Sequence, residues 1–357
     1  MNARERVCRA IEFKGPDRVP TCYYSQPWRG DVLPLVALPS RDWMPPEPYY
    51  PYGFILELMA LGLWRPKRRL PRGWQKTRHQ AMDEWGCLWE VDGSATYLGQ
   101  LRRGPLEESW DLLERYQPPD MRDPTRYPLF GLIKKLAGAG RYRLVCGDTF
   151  IFSRLLFLRG FDQAMTDLVL YPEKVDRLLD LLEDHFRGFI EMVGRFGVDG
   201  IQFDDDLGTQ LNAMISPDMF RRFFLPRYTR LVQLVHELGM HFILHSCGNI
   251  GKMIPLLIEA GIDALQLDSP NQTGLDRLAE LGGGKIAFFN VVDIQQVLPQ
   301  GSPEEIEAYV VEMIEKLGCY NGGLVAATYP TLYSIGATRQ QEKIMFNAYK
   351  KHGKYKR

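Results

Sequence analysis

His245 and Cys247 lie two residues apart, where a short apolar segment ends and a turn begins at Gly248. In a β-strand, residues i and i+2 point to the same side, so the imidazole and the thiol can face one point. Both groups are good ligands for a borderline-soft metal such as zinc. The pair therefore predicts part of a zinc site, with a packed cysteine beside a hydrogen-bonded histidine as the alternative.

The composition restricts the class of protein. Lys+Arg and Asp+Glu are equal at 44 each in 357 residues, and a net charge of zero argues against a general nucleic-acid binder. No apolar stretch approaches the roughly 20 residues that span a bilayer. The charged N-terminus has no apolar core behind it, so no secretory signal is expected, and six scattered cysteines favour a reducing cytoplasm.

Residues 26–135 differ from the rest of the chain. They are rich in Pro, Trp, Tyr and Arg, and proline both removes a backbone donor and fixes φ. Long helices are therefore not expected throughout this region. Within it, residues 83–91 followed by Asp92-Gly93 predict an aromatic hairpin.

From about residue 140 onward, strand-like and helical patterns alternate. A helix is predicted over 172–196, and Ser216 with Pro217 begins another. The predicted strands cover 19–23, 143–147, 199–203, 241–245, 264–267, 286–289 and 323–327. Alternation implies parallel strands with crossover helices, and an eighth strand is expected in the irregular region.

The expected fold class is therefore α/β, as a (β/α)8 TIM barrel. We expect one domain over 1–357, with 26–135 as an irregular insertion rich in proline and aromatic residues. A doubly wound open sheet is the alternative. Since no G-x-G-x-x-G fingerprint follows a strand, a dinucleotide-binding fold is disfavoured.

In such barrels, the C-terminal strand ends form the active-site face. The polar residues expected there are Cys146, Asp204, Asp205, Asp206, Gln210, His245, Cys247, Asp268, Asn290 and Tyr329. Adjacent carboxylates often only cap or solvate a turn, but alternation turns at least one of the three inward. We predict Asp206 as the main functional acid, because Gly208 permits close backbone approach, with Asp205 and Asp268 as further catalytic candidates.

Several segments resemble the uroporphyrinogen decarboxylase superfamily, and more narrowly its methyltransferase branch. They are Arg4–Val7, Pro16–Pro20, Asp204–Gln210, Ile215–Asp218, Pro226–Tyr228 and His245–Ile250. The resemblance implies a (β/α)8 barrel and methyl exchange with a cobalamin-type corrinoid on a partner protein. In the thiol-methylating members, it implies zinc on a His-x-Cys pair and a later cysteine.

His245 and Cys247 match the pair, whereas Thr328-Tyr329-Pro330-Thr331 stands where the family has its later cysteine. Cys319 is the only later cysteine, but it precedes the last strand and is expected toward the opposite end of the barrel. The third ligand therefore stays open among Cys146, Cys319, Asp206 and Tyr329.

The family's decarboxylases carry an arginine-rich N-terminal motif for a substrate with eight carboxylates. The matching stretch 23–30 retains only Arg29, which favours a smaller, less anionic ligand. The predicted substrate contacts are Tyr23, Trp85, Phe203, Gln210, Asn290 and Tyr329.

The sequence thus predicts a cytoplasmic, zinc-assisted methyltransferase without nucleic-acid or membrane partners. It would move a methyl group between a small methoxy, methylamine or thiol compound and the cobalt of a corrinoid protein. The alternatives are a uroporphyrinogen decarboxylase and a non-catalytic, small-molecule-binding barrel.

Overall fold

The computed structural model describes residues 1–24, 29–36, 80–90, 100–127, 140–330 and 332–355. Eleven strands occur there, of which eight form a closed barrel and three a separate sheet. In chain order the strands are β1 (Thr21–Cys22), β2 (Val32–Val36), β3 (Gln80–Met82), β4 (Leu88–Glu90), β5 (Gln100–Arg103), β6 (Tyr142–Thr149), β7 (Gly200–Asp204), β8 (His241–His245), β9 (Ala264–Leu267), β10 (Ala287–Asn290) and β11 (Leu324–Ala327).

The barrel confirms the predicted (β/α)8 fold. Its strands follow the order β1-β11-β10-β9-β8-β7-β6-β2, and every pairing within it is parallel. The eighth strand is β2, which lies in the irregular region as predicted. Each strand from β6 to β10 is followed by helical structure, as crossover connections between parallel strands require.

Helices surround the barrel. They are α1 (Ala3–Ile11), α2 (Ile151–Arg159), α3 (Phe161–Leu170), α4 (Pro172–Gly194), α5 (Pro217–Met219), α6 (Leu225–Glu237), α7 (Ile254–Glu259), α8 (Leu275–Gly282), α9 (Val297–Gln300), α10 (Pro303–Leu317) and α11 (Arg339–His352). Ser216 caps α5, and Ser302 with Glu305 forms a capping box on α10. Among the described helices, none has the length and apolarity needed to cross a membrane.

The predicted aromatic hairpin falls in the three-stranded sheet, where β4 pairs antiparallel with both β3 and β5. Strands β3 and β4 pair antiparallel, and residues 83–87 connect them. Gly86 has φ +84°, and the backbone N–H of Cys87 donates to the Asp83 carboxylate at 2.8 Å. A left-handed glycine and an aspartate that accepts from the backbone fix the turn there. The expected turn residues Asp92 and Gly93 lie outside the described residues.

Strand register decides which side chains enter the barrel. Asp204 on β7 is level with His245 on β8, which is level with Gln266 on β9, so these side chains share one face. Tyr24 identifies that face, because its hydroxyl donates to Gln202 Oε1 at 2.7 Å. Since β2 and β6 separate β1 from β7, this bond crosses the interior. The even-numbered residues of β7 therefore point into the barrel.

Candidate metal centre

Asp206, His245 and Cys247 meet at the C-terminal ends of β7 and β8. One ligand atom from each lies within 4.8 Å of the other two. His245 Nε2 is 3.4 Å from Cys247 Sγ and 3.5 Å from Asp206 Oδ1. The backbone N–H of Cys247 donates to Asp206 Oδ1 at 2.8 Å, which holds the carboxylate beside the thiol. The structure therefore brings together one nitrogen, one sulfur and one oxygen donor.

A close contact between two glycines holds the loops that carry these residues. Gly248 has φ +86°, and a Cβ on it would lie 2.2 Å from the carbonyl carbon of Gly208. Only a residue without a side chain fits there. Beside this contact, the backbone N–H of Asn249 donates to the carbonyl of Thr209 at 2.7 Å. The loop after β7 and the loop after β8 are thus fixed against each other.

Two hydrogen bonds fix the backbone next to Asp206. Its N–H donates to Ser153 Oγ at 3.0 Å, and the N–H of Leu207 donates to Ser246 Oγ at 3.0 Å. Ser246 belongs to the His-Ser-Cys sequence and is buried. The serine between the two predicted ligands therefore supports the loop that carries the third donor.

The ring nitrogen of His245 that faces away from Cys247 has a hydrogen-bond partner. Its Nδ1 pairs with Gln266 Oε1, and Gln266 Nε2 donates to Asp268 Oδ1 at 2.7 Å. Sequence reasoning missed Gln266 because it treated this residue as part of an apolar strand. The two-residue spacing could have identified it, because Gln266 precedes Asp268 by two residues and so lies on the same face of the strand. Asp268, predicted as a catalytic acid, here holds the glutamine that contacts His245.

The electrostatics of the three donors are coupled. Burial raises the pKa of Cys247 to about 11, although the charge of His245 opposes this. Burial acts to lower the pKa of His245, but Cys247 and Asp206 outweigh it and hold that pKa well above its usual value. For Asp206, burial is outweighed by the hydrogen bond from His245, so its pKa is lowered.

The access to Asp206 clarifies the shape of the site. About half of its side chain (51%) is accessible to solvent, although protein atoms surround the carboxylate closely enough to affect its pKa. His245 is less accessible, with 13% of its side chain exposed. A small ligand can therefore reach the donors from the barrel mouth.

Asp205 does not join this group. It faces outward and accepts hydrogen bonds from the N–H groups of Phe152 at 3.0 Å and Ser153 at 2.7 Å, and from the Tyr228 hydroxyl. Burial raises its pKa to about 6, although the Tyr228 bond opposes the shift. These contacts favour a structural role over the predicted catalytic one, because Asp205 satisfies the first N–H groups of α2.

Three predicted substrate contacts lie away from the barrel mouth. Phe203 points outward and stacks on Phe150 at a ring distance of 4.7 Å. Trp85 packs against the guanidinium of Arg154 at 4.1 Å, on the helical layer. Tyr23 stacks on Phe346 of α11 at 3.9 Å. The structure therefore does not bring these three side chains together at the barrel mouth.

The interior position next to Tyr23 belongs to Tyr24, whose hydroxyl reaches Gln202. Gln202 Nε2 in turn donates to Asp204 Oδ1 at 3.2 Å. Tyr24, Gln202 and Asp204 thus form a second polar group inside the barrel, and only register distinguishes its members from their outward-facing neighbours.

The other predicted contacts have mixed positions. Gln210 is exposed on the loop after β7 and accepts from Gln272 Nε2 at 2.8 Å. Tyr329 is buried directly after β11. Asn290 is buried at the end of β10, level with Leu267 and hence on the outward face, and its amide atoms have no hydrogen-bond partner among the described residues. Gln210 and Tyr329 remain at the mouth by position.

Neither further cysteine is placed as a third ligand. Cys146 is buried, and register pairs it with Gln202, two residues deeper than the level of His245, or about 7 Å. Cys319 precedes β11, at the opposite end of the barrel as predicted, and its Sγ is 3.8 Å from the carbonyl of Lys316. Among the candidates for a third ligand, Asp206 is the one that the described residues group with His245 and Cys247.

The fold and the site define a (β/α)8 barrel with a mixed-donor centre at the mouth. The chain matches the uroporphyrinogen decarboxylase (URO-D) family over residues 109–328, which is more than half of its length. It therefore belongs to the uroporphyrinogen decarboxylase family, as the sequence segments predicted.

Its relatives have two kinds of activity. A methylated-thiol–coenzyme M methyltransferase of Methanosarcina mazei is 24% identical over 135 residues, 38% of this chain and 35% of that protein. A methylcobamide:CoM methyltransferase of the same organism is 25% identical over 161 residues, 43% of this chain and 45% of that protein. A uroporphyrinogen decarboxylase of Xanthomonas campestris is 27% identical over 247 residues, 66% of each protein. The chain thus spans from about a third to just under two thirds of these relatives.

The barrel is also similar to a solved structure. A methyltransferase from Methanosarcina mazei superimposes with a TM-score of 0.62 at 16% identity, covering 98% of this chain and 99% of that one. At this identity, the likeness supports the fold rather than the activity. It agrees with the strand order described above.

Proposed function

We propose that this protein is a zinc-assisted, corrinoid-dependent methyltransferase. It moves a methyl group between a small methoxy, methylamine or thiol compound and the cobalt of a corrinoid held by a partner protein. The observation that carries the proposal is the meeting of Asp206, His245 and Cys247 at the barrel mouth. The similarity to two methyltransferases, one named for methylcobamide, supports the reaction class.

The donor set fits zinc. Thiolate, imidazole and carboxylate are all common zinc ligands, and a catalytic zinc site has three protein ligands and one open position. Asp206 would supply the third ligand in place of the family's later cysteine, from a different loop of the mouth. The backbone N–H of Cys247 already holds the Asp206 carboxylate at 2.8 Å, so metal binding would not require this side chain to move into place.

A zinc ion bound there would withdraw charge from the heteroatom of the substrate or hold a thiol acceptor as thiolate. The chain's own residues supply position. Asp206 and Cys247 lie on the open side of His245, and Gln266 lies behind it. In the direction of corrinoid methylation, the bond between the methyl carbon and the heteroatom would break with its electron pair left on the heteroatom, and cobalt(I) would supply the pair of the new carbon–cobalt bond. The barrel mouth must therefore admit the corrinoid protein.

Decarboxylation of uroporphyrinogen is the second candidate, because the decarboxylase relative matches over more residues than the methyltransferases do. The positions of the charged residues near the barrel mouth disfavour binding of uroporphyrinogen. Arg29 lies 5.4 Å from the ring of Tyr23, whose stacking partner Phe346 belongs to an outer helix. The described mouth instead presents Asp206 and Asp268, which would repel a substrate with eight carboxylates.

The proposal is tested by zinc content and methyl transfer in the same preparations. We expect about one zinc per chain in the wild type and in Cys319→Ser, and little in Cys247→Ser. Cys319 is the matched control, because it is also an exposed cysteine but lies at the other end of the barrel. Methyl transfer from methylcobalamin or to cob(I)alamin should follow zinc content, and coproporphyrinogen should not form from uroporphyrinogen.

Each outcome discriminates among the candidates. Equal zinc in Cys247→Ser and in the wild type would remove Cys247 from the site. Clear coproporphyrinogen formation would favour the decarboxylase. A zinc-free wild type that binds small molecules without transferring methyl groups would favour a non-catalytic barrel.

A further inference from the structure

We propose that Gln266 and Asp268 are positioning residues that fix the tautomer of His245, so that Nδ1 carries the proton and Nε2 is free to bind a metal. The inference rests on the proposed function only for the identity of the metal. Its geometric basis is the chain of contacts from His245 Nδ1 through the Gln266 amide to the Asp268 carboxylate.

Gln266 alone would not decide the tautomer. A glutamine amide has an oxygen that accepts and a nitrogen that donates, and rotation by half a turn exchanges them. With the oxygen toward His245, Nδ1 must donate. With the nitrogen toward His245, Nδ1 must accept and the proton moves to Nε2. The orientation of the amide therefore sets the tautomer of the imidazole.

Asp268 decides the orientation. An ionised carboxylate only accepts, so the group that faces it at 2.7 Å must be Gln266 Nε2. The oxygen of the same amide then faces His245. Asp268 is buried, and Gln266 lies on the strand directly beside His245, so both are held in place by the barrel. The carboxylate thus controls a nitrogen that it does not touch.

The choice of tautomer determines whether His245 can bind a metal. His245 Nε2 is the ring nitrogen that faces Asp206 and Cys247. A proton on that nitrogen would occupy the lone pair that a metal needs. Histidine ligands of metals generally donate their other N–H to an oxygen acceptor, and loss of that acceptor costs about 10- to 100-fold in metal affinity.

The neighbouring strand contains a natural control. Gln202 and Asp204 on β7 repeat the Gln-x-Asp spacing of Gln266 on β9 and Asp268 directly after it. Gln202 Nε2 likewise donates to Asp204, but its oxygen accepts from the Tyr24 hydroxyl instead of a histidine. A change at Gln202 therefore alters the same kind of hydrogen bond without contacting His245.

The test compares Gln266→Met, Asp268→Asn and the control Gln202→Met. Zinc affinity is measured by competition with a chromophoric chelator. The tautomer is read from long-range ¹H–¹⁵N spectra of metal-free, histidine-labelled protein at alkaline pH, where the imidazole is neutral. We expect a proton on Nδ1 of His245 in the wild type and in Gln202→Met, and a larger Nε2–H fraction in both other variants. Zinc affinity should fall about 10- to 100-fold in those two and stay within about two-fold in the control.

The readouts separate this inference from the proposed function. The spectra require neither zinc nor methyl transfer, so a protein inactive with every substrate still tests the tautomer. A wild-type His245 with its proton on Nε2 would overturn the inference. Folded Gln266→Met and Asp268→Asn with wild-type spectra and zinc affinity would overturn it as well. An equal loss of zinc affinity in Gln202→Met would show that the losses come from general damage to the barrel interior, and this would also overturn the inference.

Discussion

His241 and His245 lie on the same face of β8, four residues apart, at opposite ends of the barrel. His241 has a partner at each ring nitrogen, since Nδ1 is 2.9 Å from the Tyr142 hydroxyl and Nε2 is 3.3 Å from Glu12. His245 has one nitrogen held by Gln266 and the other directed toward Asp206 and Cys247. The comparison shows that position along the strand, rather than residue type, separates a structural histidine from a candidate ligand.

The surroundings of the two histidines differ in the same way. At the N-terminal end of the barrel, carboxylates are paired with arginines, as Asp17 and Asp31 are with Arg6 at 2.5 and 2.7 Å. At the mouth, Asp206 and Asp268 instead take hydrogen bonds from a backbone N–H and a glutamine amide. Apart from His245 beside Asp206, these donors are neutral, and they orient the carboxylates without an arginine partner, which suits a site that binds a cation.

The largest expected effect compares the two histidines directly. His245→Gln should lower methyl transfer at least about 100-fold and abolish zinc binding, with the fold intact. His241→Gln should keep transfer within about two-fold and lose about 1–2 kcal/mol of stability, because it breaks contacts with Tyr142 and Glu12. Zinc content, transfer rate and denaturant unfolding measure the three quantities. Equal losses of transfer in both variants would erase the distinction between the two ends.

A second pair sharpens the comparison within one loop. Asp206→Asn should lower methyl transfer about 100-fold with little change in stability, because the variant loses the charged carboxylate ligand beside His245. Asp205→Asn should cost about 1–3 kcal/mol of unfolding free energy with transfer per folded molecule retained, because an amide nitrogen would face the N–H groups that Asp205 accepts. Transfer rates normalised to folded protein test both statements. An inactive but stable Asp205→Asn protein would reverse the two roles.

The smallest expected effect is the pH dependence of stability at the N-terminal end of the barrel. The hydrogen bond from Arg6 outweighs burial and lowers the pKa of Asp17 from 3.8 to about 2. A lowered carboxyl pKa contributes stability above the unfolded value, and this is lost as pH falls from about 4 to about 2. Because the side chain is 31% exposed, the contribution is discounted to about 1 kcal/mol. Unfolding of the wild type and Asp17→Asn across this range should show their difference shrinking, whereas a constant difference would contradict the assignment.

Sequence periodicity predicted more of the fold than of the site. Alternating strand and helix patterns identified the barrel, and the two-residue spacing of His245 and Cys247 identified their shared face. Both follow from local backbone geometry. The hidden strand β2 could be expected from barrel closure, but its bounds could not be read from the proline-rich stretch around it.

The differences between the predicted and the observed inward-facing residues have two physical sources. Phe203 and Tyr23 were chosen for residue type near a strand end, whereas the inward positions belong to Gln202, Asp204 and Tyr24. A shift of one residue exchanges the two faces of a strand. Gln266 was missed for a different reason, since its importance depends on which residue of the neighbouring strand lies level with it.

The contact between Gly208 and Gly248 has a consequence for how the protein can change. It joins two loops into one rigid unit that presents all three donors, while Gln210 and Tyr329 lie outside the glycine contact. Under the proposed function, the metal-binding geometry and the choice of substrate would therefore depend on separate parts of the mouth. Substitutions around the rim can alter which compound is accepted without moving the donors, so new substrates can be gained while the same centre is kept.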